Sequence, residues 1–411
     1  MGGLAVIVII AAVLGVGIYQ TKFQPFNETV IKVGNTNYSM DYYINTINYW
    51  ASLTGNGSLL TDPQNGPYLA AQIEQMIMED KVIVDGAAKP PIGITISDAE
   101  VNQAIKDRKL GSDQARKDAV RVGLLLDKMK TDYFDKTIVP AAGPQRQVEA
   151  MFLESQAQAD TLIATQLNSG ADFGQVAADN SLETNSKTKR GNFDWVPKGI
   201  LPGLLNSTVL EDKVFSLDPA ADLNKLVTVD DPNQSKTVGY WLVKYTETQT
   251  SSVDNSQQKH VFAMLLPDEA KALDIKKQLD NGGDFVELAK ANSQYISAAD
   301  NGGDLNFVSK GGLGDAVDAV LYPADTAAAL PVNTLSNPIK DISRTTTGGV
   351  WLIKVTGADE NRPITGDNRT TLVSNALNSW VNETWTAEQS TAQDLLTDTQ
   401  RQFAISEAIK R

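Results

Sequence analysis

The sequence predicts an α+β protein in which a helical N-terminal module, completed by C-terminal helix, carries two copies of a smaller α+β domain. Three observations predict it. Apolar residues recur at helical spacing along residues 40–134 and again along 372–385. Between those regions a block of chain repeats itself at domain-sized spacing. Each copy of the block closes on a β-rich Trp-Leu-(Val/Ile)-Lys segment.

Gly2 to Tyr19 (GGLAVIVIIAAVLGVGIY) is eighteen residues without a charge, long enough to span a bilayer. A cleaved signal peptide calls for a basic head and a small-x-small exit, and neither is clear here. The expectation is an uncleaved anchor over residues 1–21. Lys22 follows the span and nothing basic precedes it, so charge does not place the C-terminal side outside.

Thr29 to Ser39 (TVIKVGNTNYS) alternates and turns at Gly34-Asn35, the pattern of a hairpin. Ser39 is suited to cap a helix that puts Met40, Tyr43, Ile44, Ile47 and Trp50 on one face. A second helix over residues 68–84 buries Ile73, Met76 and Ile77, and Pro90-Pro91 breaks the chain. Ser97 and Glu100 form a capping box for a short helix, and a longer one runs from about Gln114 to Phe134. Residues 28–138 are therefore mainly helical, and Ile138 to Pro144 reads as a linker.

The repeat sets the architecture. ADFGQVAADNS from Ala171 returns as GDFVELAKANS from Gly283, 112 residues on. GNFDWVPKGIL from Gly191 returns at the same offset as GDLNFVSKGGL from Gly303. Gly239-Tyr240-Trp241-Leu242-Val243-Lys244 returns as Gly349-Val350-Trp351-Leu352-Ile353-Lys354, 110 residues on. Such a period is a duplicated domain, too long for a solenoid. The expected copies span 144–250 and 256–358. They should share one fold, with Asp172 and Asp284, Gly191 and Gly303, and Trp241 and Trp351 in equivalent places.

Beyond Thr356 the chain returns to helix. Leu372, Val373, Ala376, Leu377, Trp380, Val381 and Trp385 form one stripe, and Gln393 to Lys410 continues helical. Two exposed Trp on a stripe are costly, so residues 364–411 should pack on the N-terminal helices.

Composition narrows the function classes. The net charge of −14 argues against nucleic acid, which needs clustered Lys and Arg. No cysteine is present, which excludes disulfides, thiolate metal sites and Cys nucleophiles, and the single His260 excludes a histidine cluster for zinc. Asp300, Asp304 and Asp315 flank Gly-rich loops but lack the alternate-residue spacing of a calcium loop. No metal and no cofactor is expected.

Together, (A/G)DF…(V/L)A…NS, the G(N/D)(F/L)x(W/F)V turn and G(Y/V)W(L/I)(V/I)KxT resemble the parvulin peptidyl-prolyl isomerases. VIKVGNTNYSMDYY and GITISDAEVNQAI resemble the N-terminal region of SurA- and PrsA-type extracytoplasmic foldases. The resemblance covers about residues 28–390 and implies a helical chaperone module with parvulin-like inserts. It also implies a location at the cell membrane with the domains outside the cytoplasm, and unfolded or proline-containing polypeptides as clients.

Active parvulins pair a histidine on the first strand with one on the last, with Cys or Asp between. By resemblance the middle position is Glu183 in the first copy and Tyr295 in the second. The last-strand histidines are replaced by Trp241 and Trp351. The first-strand position falls at Ala150 or Met151 in one copy and near Ala263 in the other. His260 stands three residues ahead of it, so it should face away. The catalytic candidates are thus Glu183, His260 and Tyr295. The proline-pocket positions map to Phe193, Leu201 and Leu205 beside Trp241, and to Leu305, Leu313 and Val317 beside Trp351. The implied function is a membrane-anchored chaperone whose parvulin domains have largely lost catalysis. An active isomerase and a structural subunit of a membrane complex are the alternatives.

Overall fold

The computed structural model describes residues 24–411 except 54, 56, 63 and 64. The apolar stretch Gly2–Tyr19 lies outside the described residues, and among these no helix is long and apolar enough to cross a membrane. The chain forms two units, one of residues up to Pro140 and from Thr365 onward, the other Ala141–Ile364.

In the first unit the expected hairpin is β1 (Thr29–Val33) and β2 (Thr36–Ser39), turned at Gly34 with φ +56°. The helices that follow are α1 (Met40–Leu53), α2 (Asn65–Ala87), α3 (Asp98–Asp107) and α4 (Gln114–Met129). Ser97 and Glu100 make the capping box that the sequence predicts. The last predicted helix does not run on regularly. From Lys130 to Ile138 its turns widen, with the Val139 amide bonding back to Phe134 at 2.9 Å.

The C-terminal residues complete this unit, as their apolar stripe requires. The long helix Gly366–Glu388 places Val373 and Leu377 in a core with Ile83, Ala87, Leu125, Met129 and Phe134, and Trp380 packs against it. A Cβ at Gly86 would lie 2.9 Å from Thr384 and 3.3 Å from Trp380, so α2 needs glycine where this helix crosses it. Each large apolar side chain so covered contributes roughly 1.5–3 kcal/mol. Arg369 ties the helix down through Asp135 at 2.6 Å. The end of the chain departs from the expected continuous helix. Ala392–Asp394 is a third strand paired antiparallel with β1, and only Asp398–Lys410 is helical, behind a Thr397–Gln400 capping box. The strand forms because β1, alternating and buried, otherwise presents an unpaired edge.

In the second unit the two copies of the repeat contribute matching elements in the same order, each with two strands between its first and its last. The first supplies β3 (Ala142–Leu153), α5 (Gln156–Thr165), α6 (Phe173–Asn180), α7 (Thr184–Thr188), β4 (Asn192–Pro197), β5 (Leu226–Asp230) and β6 (Ser235–Thr250). The second supplies β7 (Gln257–Leu266), α8 (Glu269–Asp280), α9 (Phe285–Asn292), α10 (Ile296–Asp300), β8 (Asp304–Ser309), β9 (Ile339–Thr347) and β10 (Val350–Pro363).

The copies have exchanged their last strands. One sheet runs β4-β3-β10-β5 and the other β8-β7-β6-β9. Val350 pairs with Leu153 and Ile353 with Ala150, while Tyr240 pairs with Leu266 and Val243 with Ala263. The expected boundaries 144–250 and 256–358 are corrected accordingly. One fold unit is 142–230 with 350–363; the other is 235–347, contiguous and inserted into the first. Residues 251–255, which read as the gap between copies, are the turn of the β6–β7 hairpin, closed by the Ser251 amide on the Ser256 carbonyl at 2.8 Å. The linker expected at 138–144 is shorter, because Ala142 already pairs with Pro363.

The physical reason is loop length. The two last strands are nearly the same peptide, so either sheet accepts either one. Pairing β6 with its immediate successor closes a short turn, whereas pairing it with β3 closes a loop more than ten times longer. Where the chain crosses, the connections bind each other: the Asp231 amide donates to Gly349 and the Gly348 amide to Gln234, each at 2.9 Å. The Lys236 ammonium also donates to the Gly348 carbonyl, and burial pulls it down to about 8.

Candidate prolyl site of the two repeats

In the 235–347 unit the first-strand position is Ala263, fully buried, its amide bonded to the Gly303 carbonyl at 2.8 Å. Gly303 is required there: it holds φ +84°, and a Cβ would meet the Phe285 ring at 2.5 Å. Beside Ala263 on the same sheet face lies Trp241, also fully buried. Its indole N–H donates to Asp341 Oδ2 at 3.1 Å. Tyr295 meets the indole edge-on at 5.3 Å, and the Arg344 guanidinium lies over both rings. Leu305, Leu313 and Val317 complete the cluster. Burial works against a charge on Asp341, but hydrogen bonds from Ser343 and Trp241 and the nearby Arg344 outweigh it and hold the carboxyl below its usual range.

The other copy repeats this arrangement. Ala150 is fully buried with its amide on the Gly191 carbonyl at 2.9 Å. Trp351 packs at a tilt against Phe152 at 5.0 Å and donates to Asp231 Oδ2 at 3.1 Å, where the Ser207 hydroxyl also donates at 2.6 Å. Phe193, Leu201 and Leu205 are all buried. Strand exchange therefore corrects the expected grouping: Trp241 belongs with Leu305, Leu313 and Val317, and Trp351 sits in the sheet of the copy that carries Phe193, Leu201 and Leu205. Each indole is held by an aspartate of the opposite repeat.

Of the candidate polar residues, Tyr295 reaches the Trp241 cluster, while Glu183 and His260 are engaged elsewhere. Glu183 caps α7, both its carboxylate oxygens accepting backbone N–H groups, from Asn185 at 2.8 Å and Ser186 at 2.6 Å. Tyr295 occupies the same cap position before α10 without a side-chain cap bond. His260 lies on the face of β7 opposite Val261 and Ala263, as the strand alternation predicts. Its ring packs against Phe262 and Phe307, with Nε2 2.8 Å from Asp304 Oδ1. The residues that sequence reasoning missed are Asp231 and Asp341. They stand 110 residues apart, the offset that also separates the two Trp, and that shared offset was the available signal.

Each repeat thus buries an alanine on its first strand beside an indole bonded to an aspartate. A family model for the PPIC-type PPIase domain matches residues 135–249 and again 221–359, more than half of the chain. The chain belongs to the parvulin family. Among its relatives is a protein named chaperone SurA from Methylobacillus flagellatus, 25% identical over 327 residues, which are 66% of this chain and 69% of that protein. A foldase protein PrsA from Exiguobacterium sibiricum is 32% identical over 136 residues, 33% of this chain and 41% of its own length. The likeness to the crystal structure of PrsA from Bacillus cereus covers 93% of this chain and 99% of that one, at 13% identity and a TM-score of 0.31, too loose to bear on the site. This parvulin is SurA/PrsA-like, and chaperone-foldase work is the role that its relatives carry.

Proposed function

We propose that this parvulin is a holdase that binds unfolded exported polypeptides outside the cytoplasm, tethered by residues 2–19, and that neither repeat catalyses prolyl isomerisation efficiently. The observation that carries the catalytic part is the Trp–Asp pair. The uncatalysed barrier is about 18–20 kcal/mol, set by amide conjugation. Lowering it requires polar groups aimed at the amide as it twists. An apolar surface that grips ground state and transition state alike gives little rate. Here the first-strand position is alanine in both copies, and the last-strand position is an indole whose single donor is taken up by aspartate.

The test is a pair of assays on the full chain. Aggregation of a chemically unfolded reporter should be suppressed at stoichiometric amounts. Isomerisation of a proline tetrapeptide should stay near its uncatalysed time of roughly 10–100 s. Robust turnover, lost on Glu183→Ala or His260→Ala, would establish an active isomerase in place of this reading. Failure to suppress aggregation would favour a structural subunit.

A further inference from the structure

A cleft of about 580 Å³ opens in the helical unit between β2, α1, α2 and α4. Apolar side chains of Ile77, Val84 and Val122 line part of it, and Tyr38 and Tyr42, with ring centroids 4.8 Å apart, line another part. Four aspartates reach the cleft. Asp41 is paired with Arg411 at 2.7 Å, Asp113 with Arg116 at 2.6 Å, and Asp118 with Arg121 at 2.6 Å. Asp80 is the exception: half-buried on α2, it has no hydrogen bond or ion pair among the described residues. Its neighbour Lys81 is turned to Asp85. The other three show that a guanidinium satisfies a carboxylate in these surroundings.

We infer that the cleft is a subsite for a basic side chain, arginine above all, of an extended polypeptide, with Asp80 as its counter-ion and Tyr38 and Tyr42 as its aromatic wall. A guanidinium offers several donors to one carboxylate and stacks on aromatic faces, and its aliphatic stem suits Ile77 and Val84. Burial, with Glu79 and Asp118 nearby, pushes Asp80 up to about 7, and a guanidinium placed beside it offsets that burial. The inference rests on the client-binding reading and narrows it to segments carrying a basic residue.

The experiment measures binding of three labelled pentapeptides to the full chain at pH 8, Gly-Ala-Xaa-Ala-Gly blocked at both ends, with arginine, glutamine or glutamate as the central residue. The arginine peptide should bind about tenfold tighter than the glutamine one, and the glutamate peptide weakest. Asp80→Asn should bring arginine and glutamine within about twofold, and Asp80→Glu should keep most of the preference. Equal binding of the arginine and glutamine peptides by the unaltered chain, or a preference that survives in Asp80→Asn, overturns the inference. Aggregation suppression, measured on the same preparations, separates the two readings. A chain that suppresses aggregation without preferring arginine loses only the subsite. One that prefers arginine without suppressing aggregation loses the holdase reading.

Discussion

The two repeats share their fold and differ in how the chain closes them. The 235–347 copy is contiguous: it begins with a last strand, β6, and reaches its own first strand, β7, through a short turn. The 142–230 copy must wait for β10, made after the whole inserted copy. The contrast separates two kinds of equivalence. Trp241 and Trp351 are equivalent in sequence and in their aspartate partner, yet each works in the sheet of the other repeat. The inserted copy depends on local closure and the interrupted copy on its completion, so their sensitivities to change should be crossed.

The largest effect expected is on the indoles. Trp351→Ala should destabilise by about 3–5 kcal/mol and strip hydrogen-exchange protection from 142–230 while sparing 257–347; Trp241→Ala should do the reverse. If each loss stayed within its own repeat's segment, the exchange would be refuted.

A covalent test sharpens the same point. The chain has no native cysteine. Glu149 pairs with Lys354 across β3 and β10, and Lys244 is the sequence equivalent of Lys354. With Glu149→Cys, oxidation should link to cysteine at 354 and not at 244, worth about 2–4 kcal/mol to the interrupted copy. Mass spectrometry of a digest decides it, and a 149–244 link would break the comparison.

A smaller effect is expected at the aspartates. Asp341→Asn should cost roughly 1–3 kcal/mol near neutral pH by weakening its bonds to Trp241 and Ser343. Because the native carboxyl of Asp341 is held below its unfolded value, that stability is present above about pH 4 and is lost as pH falls through the native pKa. Urea denaturation of the variant and the unaltered chain should therefore converge at low pH, and a constant gap down to acid would contradict the assignment.

The smallest expected difference concerns the middle position. Glu183→Ala removes a helix cap, for about 1 kcal/mol, in the interrupted copy alone, with prolyl isomerisation unchanged. A drop in isomerisation rate would return Glu183 to the catalytic list.

Much of this was legible in residues. The capping box at Ser97, the Leu372–Trp385 stripe and the repeated motifs specify local structure through short-range chemistry, and each appears where that chemistry places it. The matched placing of Trp241 and Trp351 was legible too, since it is a matter of identity at a shared offset. The cap role of Glu183 was not read, because the resemblance placed it on the polar network and only the geometry shows both its oxygens turned to backbone amides.

By itself the sequence determined that there are two copies, that each opens and closes on a strand with helices between, and which faces are apolar. Which last strand completes which sheet was left to the tertiary structure. Gly239–Lys244 and Gly349–Lys354 are so alike that side-chain pattern favours neither partner for β3 or β7. The decision falls to chain connectivity: closing β6 on β7 through the turn after Thr250 costs less entropy than reaching back to β3, and β10 takes the place left over.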